Sequence, residues 1–143
     1  MNISDLGLRP YQLACIYKIR SDIEQGKTRI FVSMPTGSGK LFTIINYFNK
    51  FLAKDEKVLF LNSFVCLAEQ TRFLLSQSLS ERQYTVETIY NLEKPDKSDD
   101  LNMIDEYDYM VIELEDFLNK QLLLDSIYQK FTGIIIGLYS APT

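Results

Sequence analysis

The feature that most constrains this chain is residues 34–41, which read Met-Pro-Thr-Gly-Ser-Gly-Lys-Leu. An apolar, β-branched run precedes this stretch, and apolar residues recur at helical spacing after it. A strand that runs through glycines into a helix gathers backbone N–H groups and the positive end of the helix dipole at one point. Gly37 and Gly39 let the backbone curl without Cβ clashes, and Lys40 adds an ammonium group. The stretch therefore predicts a phosphate-binding loop at residues 35–40.

This loop departs from the strict phosphate-binding pattern at two positions. The pattern has a glycine five residues before the second glycine and a Ser or Thr after the lysine, and here Met34 and Leu41 stand there. The isobutyl group of Leu41 donates nothing to Mg²⁺, which takes oxygen ligands. Either a metal ligand is lost, or water fills its place and affinity falls without being abolished. For Lys40 itself, the alternative is a solvated lysine at the start of a helix.

Composition places limits on size and on partners. The chain has 143 residues, of which 46% are hydrophobic and 24% charged, as expected for one ordinary globular domain. Its net charge is -4. Neutralisation of phosphates supplies most of the non-specific affinity for nucleic acids, so an acidic domain is a poor binder on its own. Any contact with nucleic acid must be local or shared with another domain.

The residue types that the chain lacks exclude several kinds of site. It has no histidine, which excludes every serine or cysteine triad with a His base. Cys15 and Cys66 stand far apart, so buried, reduced cysteines are expected rather than a zinc site. The sequence shows no secretory signal and no apolar run near the roughly 18 residues of a membrane span. A cytoplasmic protein without membrane contact is therefore expected.

Strand-like and helix-like segments alternate along the chain. The predicted strands are 29–34, 58–61, 84–90, 109–112 and 133–138, and the predicted helices are 10–26, 40–53, 65–79 and 115–131. Alternation of this kind gives parallel strands joined by right-handed crossovers, hence a three-layer α/β domain. Ligands of such sheets lie beyond the carboxyl ends of the strands, where the loop at 35–40 falls.

Three further expectations concern particular residues and segments. Asn62 and Ser63 are expected to cap the third helix, because their side chains accept hydrogen bonds from the first turn. Tyr11 and Tyr17 are expected to be core aromatics rather than base-stacking groups. The charged segment 93–100 is predicted to be a solvated loop.

Five stretches resemble, in chain order, motifs of the first RecA-like domain of superfamily-two helicases and translocases. The resemblance is strongest to the DEAD/DEAH-like group that includes restriction-enzyme motor subunits. The stretches are Leu-Arg-Pro-Tyr-Gln at 8–12, the loop at 35–40, residues 58–63 with 67–71, residues 107–112, and residues 135–142. The last of these resembles the motif that couples the nucleotide to strand separation. The resemblance implies a RecA-like fold of P-loop nucleoside triphosphatases, with residues 1–143 as one N-terminal domain. It also implies a cut at a domain boundary, with the second RecA-like domain and its arginine finger absent.

The resemblance also implies roles for individual residues. Arg9 and Gln12 are expected near the adenine of ATP, with exposed residues of the first helical turn as the alternative. The phosphates are expected against Pro35, Thr36, Gly37, Ser38, Gly39, Lys40 and Leu41. Lys40 and Glu113 are the candidate catalytic residues, and Glu113 is the candidate ligand of Mg²⁺. For Ser63, Gln70, Thr71 and Arg72, contact with a phosphodiester is the alternative to the polar face that any amphipathic helix has, and the polar face is favoured. The implied nucleic acid is DNA rather than RNA, bound together with a second RecA-like domain.

The acidic motif of the family is altered in this chain. Where the family has Asp-Glu, the chain has Glu113 and Leu114, and Leu114 cannot activate water. Glu113 is either a weakened metal ligand or a solvated acid at the end of a strand. Glu115 and Asp116 are expected to cap the following helix, although a bulge would let Glu115 act as the base. Magnesium binding is therefore expected to be weak or absent.

Three functions are consistent with these residues. The first is an ATP-binding helicase domain with negligible hydrolysis. The second is a non-catalytic, helicase-like scaffold or regulatory module that docks a partner. The third is a competent ATPase that uses Glu113 and Glu115 in an unusual geometry.

Overall fold

The structure is a computed structural model, and it describes residues 8–35, 39–62, 65–77, 79–80, 83–88, 106–117 and 119–141. In chain order the elements are α1 (Pro10–Glu24), β1 (Arg29–Pro35), α2 (Lys40–Phe51), β2 (Val58–Asn62), α3 (Val65–Ser76), β3 (Tyr84–Thr88), β4 (Tyr109–Glu113), α4 (Gln121–Lys130) and β5 (Ile134–Ala141). A 3₁₀ turn, Leu114–Phe117, lies between β4 and α4. The predicted alternation of strands and helices is confirmed for these elements.

The strands of the described part of the chain form one parallel sheet in the order β1-β5-β4-β2-β3. β5 lies between β1 and β4, with Arg29 opposite Ile135 on one side and Tyr109 opposite Ile134 on the other. Because the strands run in one direction, the carboxyl ends of β1, β2 and β4 lie at the same edge. The predicted α/β class is confirmed.

Helices α1, α2 and α3 cover one face of this sheet. Side chains alternate between the two faces of a strand, and Val58 and Phe60 of β2 belong to the core on this side. Phe48 of α2 packs edge-on against Phe60, with the ring centroids 5.9 Å apart. The helical side chains buried in this layer are Ile16, Ile19, Ile44, Ile45, Tyr47, Phe48 and Leu75.

Helix α4 and the 3₁₀ turn cover the opposite face. Leu59 and Leu61 of β2 belong to the core on this side, which also holds Met110, Ile112, Phe117, Leu124, Ile127, Phe131 and Ile135. The central strands are thus buried on both faces. This double burial is the physical reason why they read as continuous apolar runs rather than as alternating ones.

The predicted helix 115–131 is wrong at its beginning. Residues Leu114–Phe117 form the 3₁₀ turn, and α4 starts only at Gln121, with Lys120 at its N-cap. Phe117 is 1% exposed, and burying its ring against β4 fixes the chain before the helix begins. Glu115 and Asp116 therefore do not cap α4, and that prediction is wrong.

Other boundaries and side-chain placements also differ from the predictions. Helix α3 ends at Ser76 instead of residue 79, and β3 is described as Tyr84–Thr88. Tyr11 and Tyr17 are 43% and 52% exposed, so the expectation that they are core aromatics is wrong. Tyr17 lies on the surface of α1 and contacts the ring of Phe51 edge-on. The predicted loop 93–100 lies outside the described residues.

Cys15 is half-buried beside the first core layer and forms no disulfide. Burial raises the pKa of its thiol, which keeps the thiol protonated and poorly reactive. The side chain of Cys66 lies outside the described residues. Within the ranges given above, none of the helices combines the length and hydrophobicity needed to cross a bilayer.

Candidate functional site

At the downstream end of the glycine-rich loop, Gly39 and Lys40 have the geometry that the sequence predicts. Gly39 precedes the helix with φ 81° and ψ 41°, a left-handed conformation that favours glycine. Its carbonyl oxygen accepts bonds from the Thr43 backbone N–H at 2.9 Å and from the Thr43 hydroxyl at 2.8 Å. Lys40 is the first residue of α2, at the positive end of its dipole. Thr36, Gly37 and Ser38 lie outside the described residues.

Gln12 packs against this turn. Its side chain is 5% exposed, and its Oε1 accepts a hydrogen bond of 2.8 Å from the Arg9 backbone N–H. Its Nε2 lies 2.8 Å from where a Cβ on Gly39 would stand. The alternative reading of Gln12 as an exposed first-turn residue is therefore wrong. Arg9 is exposed at the N-cap of α1.

A pocket of about 90 Å³ opens at the carboxyl ends of β2 and β4. Leu41 and Glu113 both line it, so the structure brings together the two positions that the sequence singles out for metal binding. Leu41 also packs against the first core layer. The full lining is Leu41, Phe60, Leu61, Asn62, Gln70, Thr71, Val111, Ile112, Glu113 and Leu138.

Asn62 is a lining residue for which the sequence predicts a different role. It ends β2 instead of capping α3, and its Oδ1 accepts a hydrogen bond of 3.0 Å from the Thr71 hydroxyl. Thr71 is 1% exposed. The sequence does signal that Asn62 lies at the site, because it is a polar residue directly after the buried run of β2. Such a residue falls at the sheet edge where ligands lie. Ser63, the other expected cap, lies outside the described residues.

Leu114 and Glu115 leave the strand end in different directions. Leu114 packs with the core of the second face, and its Cδ2 lies 3.5 Å from where a Cβ on Gly137 would stand. Glu115 is exposed on the 3₁₀ turn and is not among the residues that line the pocket. Glu113 is thus the carboxylate that β4 and the described part of its turn contribute to the pocket.

The candidate residues for contact with nucleic acid differ in the exposure and the bonding of their side chains. Gln70 is exposed and lines the pocket. The buried Thr71 hydroxyl bonds Asn62, so in the described structure it has an internal role. Arg72 donates to the Val86 carbonyl oxygen at 2.8 Å and pairs with Glu69. Its guanidinium therefore serves to join α3 to β3.

The described lining of the pocket offers one carboxylate to a magnesium ion, that of Glu113. Magnesium in nucleotide sites is usually held by one or two carboxylates together with substrate phosphates and water. Among the residues described, no three Asp, Glu, Cys or His side chains are grouped to hold a metal ion. Leu41 supplies no oxygen ligand, so magnesium would have one described carboxylate here and no hydroxyl from this position.

Comparison with known proteins identifies the family and the fold. The family model described as "Type III restriction enzyme, res subunit" matches residues 5–136, which is more than half of the chain. No curated protein sequence is a significant match.

Two solved structures are similar to this chain. The UvsW helicase from bacteriophage T4 has a TM-score of 0.66 at 15% identity, over 92% of this chain and 51% of the helicase. A nuclease-deletion mutant of the type ISP restriction-modification enzyme LlaGI, in complex with a DNA substrate mimic, has a TM-score of 0.56 at 15% identity. That match covers 95% of this chain and 17% of the enzyme. The chain therefore spans about half of the first structure and a smaller part of the second, and at this identity both show the fold alone. By its sequence the chain belongs to the family of type III restriction-enzyme res subunits, and by its structure it has the RecA-like fold of helicases.

Proposed function

We propose that this chain is the ATP-binding RecA-like domain of a helicase or translocase of the restriction-enzyme type. The observation that carries the proposal is the start of α2, at Gly39 and Lys40. Left-handed Gly39 and then Lys40 begin α2 at the carboxyl edge of the sheet, beside a pocket lined by Glu113. A helix N-terminus in this position binds anions through its N–H groups and its dipole. The phosphates of ATP then lie against the loop Pro35 to Lys40.

Hydrolysis by this chain alone is proposed to be negligible. Attack on the γ-phosphate needs an oriented water and stabilisation of the charge that develops on the phosphoryl oxygens. Leu114 packs into the core, and Glu115 is exposed away from the pocket lining. Neither side chain is therefore placed to orient water beside Lys40. This arrangement disfavours the competent ATPase that would use Glu115 as its base.

Nucleic acid is proposed to bind only when a second RecA-like domain completes the interface. DNA is the proposed nucleic acid, in keeping with the restriction-enzyme family. Within this chain, Gln70 is the described candidate that is both exposed and at the pocket.

A non-catalytic, partner-binding module is the second candidate function. The observation that favours it is the replacement of two polar positions by side chains that pack inward, Leu41 on α2 and Leu114 after β4. Such replacements preserve the fold while removing the groups that metal and water require.

Nucleotide binding and phosphate release, measured on the same sample, separate these functions. We expect calorimetry to detect ATP binding, a phosphate-release assay to stay at background, and Lys40→Ala to weaken binding at least about tenfold, the loss of one charge-assisted contact. Lys54→Ala is the matched control, because Lys54 is exposed in the turn after α2.

The remaining outcomes assign the other functions. Absence of nucleotide binding by the unaltered chain contradicts the proposal and favours the scaffold. Phosphate release that disappears in Lys40→Ala favours the ATPase.

A further inference from the structure

We infer that a second copy of this chain docks on the edge of the sheet at β1, so that the β1 strands of two copies pair antiparallel about a two-fold axis. β1 pairs with β5 on one side, and within the described ranges no strand pairs with it on the other side. An edge strand exposes backbone N–H and C=O groups that can form hydrogen bonds with a strand of another chain.

A groove of about 260 Å³ runs beside this edge. Its strand side is formed by four consecutive residues of β1, Ile30 to Ser33, and its other wall by residues of α1 that include Lys18 and Ile19. Consecutive residues of a strand point to opposite faces of the sheet. A groove that touches all four therefore lies alongside the strand and not over one face. It offers room where a neighbouring strand would lie, apart from the proposed nucleotide site.

β1 lacks the features by which edge strands usually avoid pairing, which are internal charges, prolines and bulges. Between its two end residues the strand reads Ile-Phe-Val-Ser-Met, and it pairs with β5 in one unbroken register. Phe31 is 51% exposed. At the opposite edge of the sheet, β3 contains Glu87, and Arg72 donates to the Val86 carbonyl oxygen at 2.8 Å. Pairing between copies is therefore expected at β1 and not at β3.

A two-fold axis at Val32 makes the strand complementary to itself. Antiparallel pairing about this residue places Ile30 opposite Met34 of the second copy, so apolar side chains meet on one face. On the other face it places Phe31 opposite Ser33, so a large ring meets a small side chain. A two-fold contact uses the same patch on both copies and is complete at the dimer.

The charges of the groove do not oppose this contact. The charged residues of its lining are Lys18 and Asp22, which pair with each other at 3.2 Å. The lining as a whole is therefore neutral, and two identical grooves meet without an excess of charge of one sign.

The length of β1 limits the strength of the contact. A strand of seven residues is about 23 Å long, which gives an interface at the small end of the range for specific complexes. The dimer is therefore expected to be weak and reversible, with a dissociation constant of about 10–100 µM.

Sedimentation velocity of the unaltered chain, from about 1 µM to about 300 µM, tests the inference. We expect a reversible equilibrium between monomer and dimer, with no larger species. Hydrogen exchange at the two ends of this concentration range locates the contact. Exchange of the β1 amides should slow about threefold or more at the high concentration, and exchange of the β3 amides should not change.

Ser33→Lys assigns the contact to the edge of β1. Ser33 is exposed, so the substitution should preserve the fold, and a lysine in an edge strand opposes pairing. We expect the dissociation constant of the dimer to rise at least about tenfold. Ser76→Lys is the matched control, because it makes the same change at an exposed position of α3, the helix that Arg72 joins to β3. It should change the dissociation constant less than about twofold. Circular dichroism checks that both variants fold.

A chain that stays monomeric over the whole concentration range overturns the inference. So does a species that grows beyond the dimer, because a two-fold contact closes on itself. Slower exchange in β3 instead of β1, or a dimer that Ser33→Lys leaves unchanged, also overturns it. Sedimentation and hydrogen exchange of the unaltered chain need no variant to fold, and neither depends on a bound nucleotide.

Discussion

At the scale of single residues, two glycines share a left-handed backbone but differ in their surroundings. Gly39 has φ 81° at the start of α2, and Gly26 has φ 89° after α1. A Cβ on Gly39 would come within 2.8 Å of Gln12 Nε2, whereas a Cβ on Gly26 would meet nothing within 4 Å. Comparing substitutions of the two glycines therefore separates the free-energy cost of the left-handed backbone from the cost of the contact with Gln12.

Substitution of Gly39 by alanine is predicted to lower the free energy of unfolding by about 2–3 kcal/mol. About 1–2 kcal/mol comes from the left-handed conformation, which disfavours a side chain. About 1 kcal/mol more comes from displacing Gln12, whose Oε1 bonds the Arg9 backbone N–H. Chemical denaturation followed by circular dichroism measures the change.

Gly26→Ala is the control for this experiment, and it should cost only the conformational part, about 1–2 kcal/mol. In the background of Gln12→Ala the two glycine substitutions should become equal within about 0.5 kcal/mol, since the contact is then gone. Equal costs in the unaltered background would show that Gln12 does not restrict the turn.

For single residues, the sequence predicts a structural role correctly where the residue types and their spacing fix that role. The glycine and lysine spacing predicts the helix start at Lys40, because few other sequences join a strand to a helix in this way. The burial of Gln12 was not predictable, since it depends on how α1 packs on the turn. The sequence shows that Leu114 cannot act as a base, but only the structure shows that it packs against the second core layer.

At the scale of elements, Arg29 joins the first strand to the last helix. Its guanidinium donates to the carbonyl oxygens of Gly133 at 2.7 Å, Phe131 at 2.6 Å, Tyr128 at 3.1 Å and Thr28 at 2.9 Å. Helix α4 ends at Lys130, so three of these four acceptors lie at or just beyond the final turn of α4. The cation there complements the negative end of the helix dipole.

Arg29→Met is predicted to lower the free energy of unfolding by about 2–4 kcal/mol. Methionine keeps much of the aliphatic bulk but leaves several partly buried carbonyl oxygens without this donor. Thermal and urea unfolding measure the loss of stability.

Lys18→Met is the control. It removes one positive charge from α1, where the lysine side chain is 70% exposed and pairs with Asp22. It should cost less than about 1 kcal/mol, as exposed ion pairs do. If the two variants lose equal stability, charge rather than the carbonyl contacts accounts for the effect.

The elements themselves were predictable to different degrees. The strands β2 and β4 were located from their apolar runs because burial on both faces leaves little room for polar residues. The start of α4 was misplaced because Leu114 and Phe117 continue an apolar pattern that also suits a helix. Only the packing of Phe117 against the second face shows that the chain forms a 3₁₀ turn first.

At the scale of the whole molecule, the sheet order carries information that the sequence alone did not. Alternating strands and helices predict parallel pairing but not which strands are neighbours. The observed order places β5 between β1 and β4, so the end of β1 and Glu113 at the end of β4 are separated by one intervening strand. Leu41, near the start of the helix after β1, and Glu113 line the same pocket at this edge.

The net charge of the molecule leads to the last prediction, that the chain alone binds nucleic acid only weakly. The net charge is -4 because acidic side chains outnumber the 15 Lys and Arg residues, and Arg72 is engaged by Glu69 and the Val86 carbonyl oxygen, so the chain as a whole attracts phosphates weakly. Fluorescence anisotropy should give dissociation constants weaker than about 100 µM for single-stranded DNA, duplex DNA and RNA at physiological salt. Affinity should fall only shallowly as salt rises, because the slope counts the phosphates neutralised. Micromolar binding with a steep salt dependence would instead require a local basic surface on this chain, and a second RecA-like domain would then not be needed to complete the interface.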